Sequence, residues 1–156
     1  MGDLSDFSKK NKFRGSDRIF FSPSIPSKKV KNVLSVYAGK ININEIEMLL
    51  DDTVFGGAKE GIVITSNLIL SKESFGEPSL ILWDDVEQIS ADKLKIIING
   101  ETFCKLVQPS PKEILELCQF LEEYKKFRKE SVLGSDGYSS SQNINSEVTC
   151  PVSEPI

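Results

Sequence analysis

Histidine is absent from the 156 residues of this sequence, and that absence removes whole classes of catalysis. Histidine is the commonest general base, the commonest neutral metal ligand and the only side chain whose unperturbed pKa lies near neutrality. A Ser-His-Asp or Cys-His mechanism is therefore impossible, whereas chemistry by lysine or by paired carboxylates is not excluded. We expect no catalytic residue, no cofactor and no metal site.

Cysteines and long apolar runs are also scarce. The three cysteines, Cys104, Cys118 and Cys150, form no C-x-x-C pair, so neither a zinc ribbon nor a thioredoxin-type site is supported. An odd number of cysteines favours reduced thiols in a cytosol, with Cys104 and Cys118 as small buried apolar groups and the role of Cys150 open. The polar residues 1–12 lack the apolar segment of a secretion signal, and no apolar run approaches the roughly 20 residues that span a bilayer. We therefore expect a cytoplasmic protein without a transmembrane segment.

Charge is distributed unevenly along the chain. Residues 1–31 carry eight Lys or Arg against three Asp, a net charge of +5, and the remaining residues carry eleven against twenty acidic residues, a net charge of −9. The first segment interleaves its cations with phenylalanines, which is typical of contact with nucleic acid phosphates or anionic lipid. The alternative is a solubilising tail that folds back on the acidic body, because so few charges give a modest, salt-sensitive attraction. The cations of this basic arm are Lys9, Lys10, Lys12, Arg14 and Arg18, and its aromatic residues are Phe7, Phe13, Phe20 and Phe21.

Composition divides the chain into three parts. Residues 1–22 are predicted to be a basic, poorly ordered arm, and residues 23–130 a single domain. Residues 131–156 are rich in Ser, Gly, Asn and Pro and contain few large apolar residues, which is typical of a disordered tail.

Three helices are predicted within the domain. The first is short and amphipathic and begins at Pro26. The second occupies residues 44–52, with Asn44 as its cap. The third begins at the capping box Ser110–Glu113 and continues with apolar residues at helical spacing.

Short β-branched runs between residues 61 and 107 predict about six strands. Asn99-Gly100 is the strongest hairpin signal, because both central residues of a type I′ turn need a positive φ. Ser66-Asn67 predicts a second two-residue turn.

The glycine-rich stretch from Phe55 to Gly61 invites comparison with a phosphate-binding loop. That loop requires a lysine and a hydroxyl residue after its last glycine, whereas Lys59 precedes Gly61 and Glu60 would oppose phosphate charge. The alternative is a glycine-rich hairpin or bulge at the point where a helix is followed by a strand.

Acidic pairs and one tryptophan are the remaining candidates. Asp51-Asp52, Asp84-Asp85 and Glu87 lack the alternating oxygen ligands and the glycine of a calcium loop, so solvated or capping roles are the alternative. Trp83 ends an apolar strand, and it is either an exposed anchor for a partner or a core residue with a satisfied indole N–H. Trp83, Asp84 and Asp85, together with the basic residues of the arm, are the candidate partner-binding residues.

Several motifs resemble one known family. They are Ile25-Pro26 with its helix, the segment Leu50–Gly61, Glu77-Pro78, Ile81 and Asp85-Val86. This pattern, between residues 25 and 127, is similar to bacterial pleckstrin-homology-like (PH-like) domains of uncharacterised function. It departs at Asn67-Leu68-Ile69, where such sequences often carry Gly-Ile-Tyr or Gly-Leu-Tyr.

The resemblance implies an α+β fold with a PH-like curved antiparallel sheet or partly open barrel of about six strands. Two short N-terminal helices and a long C-terminal capping helix would complete it. The resemblance also implies a binding or scaffold module and supplies no catalytic residues, although fold analogy alone is a weak warrant for function.

Four functions compete at this point. The leading one is a non-enzymatic scaffold or adaptor that binds a protein through a sheet edge, the C-terminal helix or the Trp83 end. The second is an immunity- or inhibitor-type protein whose acidic body binds a basic partner. The third is binding of anionic lipid or nucleic acid through the basic arm. The fourth is an enzyme that uses lysine or paired carboxylates, which would require a deep pocket with perturbed carboxylates. The oligomeric state is open.

Overall fold

The computed structural model describes residues 3–13 and 15–136, and these form an α+β fold, as the sequence predicts. The helices are α1 (Asp3–Lys10), α2 (Ser27–Val36) and α3 (Pro111–Asp136). The strands are β1 (Ile19–Phe21), β2 (Ile46–Asp51), β3 (Gly61–Thr65), β4 (Leu68–Lys72), β5 (Ser79–Leu82), β6 (Ile89–Asp92), β7 (Lys95–Ile98) and β8 (Glu101–Lys105).

The strands build two antiparallel sheets. One has five strands in the order β1-β2-β3-β4-β5, and the other has three in the order β6-β7-β8. Within the described ranges no strand pairing joins the sheets into a closed barrel, and eight strands are present where about six were expected. The sheets, α1 and α2 belong to one compact unit that ends at Glu122, and α3 continues from it into a second unit.

The prediction of a second helix at residues 44–52 is wrong, because this segment is the strand β2. A capping box does form, but it joins Asn42 to Glu45 around a single 3-10 turn, and the chain then extends. All six residues of β2 are buried, with β1 on one side and β3 on the other. A strand that is covered on both faces has a continuous apolar run, and such a run cannot be distinguished from a buried helix by its periodicity.

The structure also differs from the poorly ordered arm predicted for residues 1–22, because α1 and β1 lie there. The arm is docked by its apolar residues: Leu4 is fully buried, and three phenylalanine rings surround Phe120 of α3. The ring centroids of Phe7, Phe13 and Phe21 lie 5.6, 4.1 and 6.1 Å from that of Phe120. Most of the arm's aromatic rings are therefore packing groups of the fold.

Two local predictions are confirmed by the hydrogen bonds and dihedral angles. Asn99 and Gly100 join β7 to β8 with φ values of +55° and +83°, as a type I′ turn requires. At the start of α3 the Ser110 N–H donates to Glu113 Oε1 at 2.8 Å, and the Glu113 N–H donates to Ser110 Oγ at 3.2 Å. The helix extends to Asp136, beyond the predicted start of the tail at residue 131, and residues 137–156, including Cys150, lie outside the described residues.

Helix α2 lies against the five-stranded sheet. Its buried residues Val30 and Val33 belong to the same core cluster as Leu49 of β2, Val63 of β3 and Leu70 of β4. This packing fixes the polar side chains of α2 beside the end of β2, where the loop to β3 begins.

Gly61 is the first residue of β3 and lies where the backbone of β2 approaches closely. Its φ is +142°, and a Cβ built there would lie 1.9 Å from the carbonyl oxygen of Leu50. Only glycine fits such a position without a shift of the backbone.

We predict that Gly61→Ala lowers the free energy of unfolding by at least about 2 kcal/mol, since it adds both a backbone clash and an unfavourable φ. Urea denaturation measures the change. Gly57→Ala is the matched control, because nothing lies within 4 Å of its Cβ position, and it should change stability by less than about 0.5 kcal/mol. Equal stability of the two variants would contradict this account of Gly61.

Candidate functional site

The three candidate partner-binding residues at the end of β5 differ in exposure: Trp83 is buried, whereas Asp84 and Asp85 are exposed. Trp83 is 1% exposed, and its indole N–H donates to the Thr65 carbonyl oxygen at 3.1 Å. Its indole therefore occupies the core, which is the second of the two roles considered for it. Asp84 and Asp85 are exposed on the 3-10 turn that begins at Trp83.

The basic arm presents three lysines to solvent. Lys9 and Lys10 lie in the last turn of α1, Lys12 follows it, and all three are exposed. Arg14 lies outside the described residues. Lys9 and Lys12 line an open cleft of about 460 Å³. The other lining residues are Ser5, Ser8, Phe13, Phe21, Ser22, Pro23 and Ser24.

Asp51, the last residue of β2, is a buried carboxylate with four hydrogen-bond donors. Its Oδ2 accepts from Lys29 Nζ at 2.5 Å, and its Oδ1 accepts from the Thr53 N–H, the Thr53 hydroxyl and the Ala58 N–H. Burial raises the pKa of Asp51, but the hydrogen bonds from Lys29 and Thr53 outweigh it and hold the pKa below its ordinary value.

Asp52, the next residue, ties the same loop to the connection between β8 and α3. Its carboxylate accepts from the Val107 N–H at 2.9 Å and from the Gln108 N–H at 2.8 Å. Burial raises the pKa of Asp52 more than these N–H groups and nearby Arg18 lower it, so the pKa lies above its ordinary value. We refer to Asp51 and Asp52 with their donors as the Asp51–Asp52 hub.

Arg18, a candidate of the basic arm, is part of this structural network. Its guanidinium donates to the carbonyl oxygens of Thr53 at 2.7 Å and Asp51 at 3.3 Å, and to Gln108 Oε1 at 3.4 Å. The cation is therefore engaged by the loops around the hub, unlike the exposed lysines of the arm.

The glycine-rich loop does not have the geometry of a phosphate cradle. Its carbonyl oxygens face donors from α2: Lys29 Nζ donates to Gly56 at 2.7 Å and Asn32 Nδ2 donates to Gly57 at 2.7 Å. A phosphate-binding loop instead turns its backbone N–H groups toward the ligand. The geometry therefore disfavours a phosphate-binding loop. The stretch is a glycine-rich connection, but it joins the strands β2 and β3 and does not follow a helix as predicted.

Exposed apolar side chains gather at the end of the sheet where the hub lies. The β2–β3 and β4–β5 loops share that end, because Gly61 pairs with both Asp51 and Lys72, and Ser74 Oγ donates to Glu60 Oε1 at 2.8 Å between the loops. Phe55 and Phe75 are 98% and 106% exposed. Val54, beside Phe55, and Val107, on the hub, are also exposed. These four residues, Val54, Phe55, Phe75 and Val107, are the loop-end patch.

Phe75 is exposed and also has an energetically unfavourable backbone conformation. Its φ is +65°, a conformation that is unusual for a bulky residue and that Gly76 beside it would adopt more easily. The loop-end patch was not predicted from the sequence. The available signal was an aromatic residue directly before a glycine inside a turn, in Phe55-Gly56 and again in Phe75-Gly76.

The thiols and carboxylates of the described chain offer little to nucleophilic or metal chemistry. Burial raises the pKa of both Cys104 and Cys118 to about 12, so these thiols stay protonated at neutral pH. In residues 3–13 and 15–136, no group of three or more His, Cys, Asp or Glu is placed to hold a metal ion. None of the helices in that part of the chain is long and apolar enough to cross a membrane.

Comparisons with protein-family models, with curated proteins and with solved structures found no match.

We predict that Asp51→Asn lowers the free energy of unfolding by about 3 kcal/mol at pH 7, because it leaves the Lys29 ammonium without its carboxylate. The pKa of Asp51 is lower in the folded chain than in the unfolded chain. Its stabilising contribution is therefore complete above the unfolded pKa and is lost as the pH falls through the folded pKa. Urea denaturation across the acid range should show the difference between the variant and the unchanged chain shrinking as the pH falls.

Two comparisons make this measurement specific. The pKa of Asp52 is raised in the folded chain, so its contribution to stability changes with pH in the direction opposite to that of Asp51. Asp52 is present in both proteins, and its contribution cancels when their free energies of unfolding are subtracted. Glu116→Gln removes the exposed pair with Lys112, whose charged atoms are 4.0 Å apart, and should cost less than about 0.5 kcal/mol. A difference for Asp51→Asn that stays constant from neutral to acid pH would contradict the assignment.

Proposed function

We propose that this chain is a non-enzymatic protein-interaction module with a PH-like architecture. The meander β2–β5, the meander β6–β8 and the C-terminal helix α3 follow one another along the chain, and that order supports the PH-like part of the proposal. Because one fold serves many functions, the functional part depends on a surface and not on the fold.

The observation that carries the proposal is the full exposure of Phe55 and Phe75 on a supported backbone. The loop under Phe55 is held by hydrogen bonds to Asp51 and from Lys29, and the loop of Phe75 is joined to it through Ser74 and Glu60. Aromatic side chains dominate the energetics of protein interfaces, and a preorganised surface loses less entropy on binding. The loop-end patch therefore has the properties of a binding surface.

The energetics of Phe75 support the same conclusion. A left-handed conformation costs roughly 1–2 kcal/mol for a residue with a Cβ. The side chain is fully exposed, so burial within the chain does not offset this cost. Burying a phenylalanine against a partner contributes about 1.5–3 kcal/mol, which does offset it. A partner surface with apolar pockets for the two rings is the counterpart that we propose.

We predict that Phe75→Asn keeps or raises stability, by up to about 1 kcal/mol, because asparagine adopts the left-handed conformation more readily. The double variant Phe55→Ser/Phe75→Asn should remain folded and should lose the protein that the unchanged chain captures from lysate of the source cell at high salt. Urea denaturation and quantitative capture provide the two measurements.

Leu115→Ser is the matched control, because Leu115 is a half-exposed apolar residue on α3 and belongs to neither of the two loops. It should capture the same protein as the unchanged chain. The proposal would be overturned if the double variant captured that protein equally well, or if the unchanged chain captured none above background.

A second candidate function, binding of an anionic group, is supported by the cleft that Lys9 and Lys12 line. Two exposed ammonium groups suit phosphate oxygens, as in a nucleic acid or an anionic lipid. This function uses the basic arm and does not involve the loop-end patch.

The double variant Lys9→Gln/Lys12→Gln tests the second candidate with a single-stranded oligonucleotide and with vesicles of phosphatidylglycerol and phosphatidylcholine. Loss of two phosphate contacts should weaken oligonucleotide binding and reduce its salt slope by about 1.4. Lys112→Gln, which removes another exposed lysine, is the control. Binding that is absent in the unchanged chain, or equal in the variant, would reject this function.

A further inference from the structure

The strand β5 forms an open edge of the five-stranded sheet, and its register identifies the backbone groups on that edge. Leu82 lies opposite Leu68, and the next residue, Trp83, donates its N–H to the Asn67 carbonyl oxygen at 2.9 Å. Hydrogen-bonded and non-hydrogen-bonded pairs alternate along an antiparallel ladder. Leu80 and Leu82 therefore turn their backbone N–H and C=O groups away from β4, toward an edge that no strand of the described residues occupies.

Three of the common protections against strand addition are absent within β5 itself. The β4–β5 pairing is regular, whereas the β7–β8 pairing, which includes the edge strand β8, has a register shift. The residues of β5 include neither lysine nor proline, and its two leucines are 55% and 46% exposed. Bulges, edge lysines and prolines are among the devices that discourage pairing with another chain. β5 has only four residues and follows Pro78, but none of these three devices interrupts its regular pairing, so its outer edge is open to a short added strand.

A groove runs beside this edge. It has a volume of about 460 Å³ and lies between β5 and the turn that joins β7 to β8. Its apolar walls come from Leu80, Ile81, Ile98 and Phe103. The groove therefore offers backbone hydrogen bonds on one side and apolar contacts on both.

The lining of the groove and the segments at the two ends of β5 carry only acidic charges. Glu77 precedes β5, Asp84 and Asp85 follow it, and Glu101 lines the groove; all four are exposed. None of the residues that line the groove is Lys or Arg. A second copy of this chain would bring the same carboxylates to the edge, and like charges disfavour that pairing. A cationic segment is the complementary occupant.

We infer that the β5 edge binds an extended peptide segment of a partner protein as a sixth strand of this sheet. The segment has apolar side chains at alternate positions, which contact Leu80 and Leu82, and Lys or Arg at its ends, which meet Glu77 and Asp84-Asp85. Main-chain hydrogen bonds to the edge supply affinity, and the alternating side chains supply specificity. This site uses the β5 edge and none of the four side chains of the loop-end patch, and it does not depend on the function proposed for that patch.

The test uses the full chain and a synthetic peptide, Lys-Thr-Val-Thr-Val-Thr-Val-Lys, with a matched peptide that carries Glu at both ends. The lysine peptide should bind with at least tenfold higher affinity than the glutamate peptide at low salt. On binding it should slow amide hydrogen exchange at Leu80 and Leu82, whose N–H groups face the edge. Equal affinity for the two peptides, or exchange that changes elsewhere and not at β5, would overturn the inference.

Two variants sharpen this test. Leu80→Pro removes an outward N–H and should abolish peptide binding. Asp84→Asn/Asp85→Asn alters only exposed side chains and should weaken binding at least fivefold, which keeps the inference testable if the proline variant fails to fold. Self-association of the unchanged chain that Leu80→Pro abolishes, without any peptide binding, would assign the edge to a second copy and overturn the inference.

Discussion

The structure depends on two adjacent buried carboxylates, Asp51 and Asp52, at the end of the buried strand β2. Asp51 joins Lys29 of α2 to the loop that leads into β3, and Asp52 joins that loop to the segment before α3. Each carboxylate is buried and is satisfied by several donors, which is the condition under which burial of a charge is tolerated. One dipeptide thus connects a helix, a strand and two loops that are distant in sequence.

The Asp51–Asp52 hub explains how the loop between β2 and β3 can expose the apolar side chain of Phe55 while its backbone is held in place by hydrogen bonds. The loop that bears Phe55 is closed on its inner side by Lys29 and Asn32, so its backbone polar groups are engaged while the phenyl ring is left outside. The β5 edge differs from that loop in two respects. Its outward backbone N–H and C=O groups are not paired with another strand of the described residues, and the charges at the two ends of β5 are negative. The two surfaces suit different contacts: apolar pockets for the rings and a cationic extended segment for the edge.

The sequence predicted those features whose cause is local. The Asn99-Gly100 turn and the Ser110–Glu113 capping box are determined by a few neighbouring residues, and both are present. The strand β2 was misassigned as a helix, because its apolar run reflects burial by neighbours that are distant in sequence. The docking of the arm on Phe120 and the exposure of Phe55 and Phe75 are tertiary outcomes, so neither has a periodic signal in the chain.

Native-state amide hydrogen exchange on the full chain tests the central claim most directly. If the Asp51–Asp52 hub holds the loops, the amides of Ala58, Val107 and Gln108, which donate to its carboxylates, should exchange as slowly as those of β2 and β3. This result would show that the end of the sheet opens only when the core opens. Rapid exchange at these amides, with β2 and β3 still protected, would show that the loops move independently and would contradict the account.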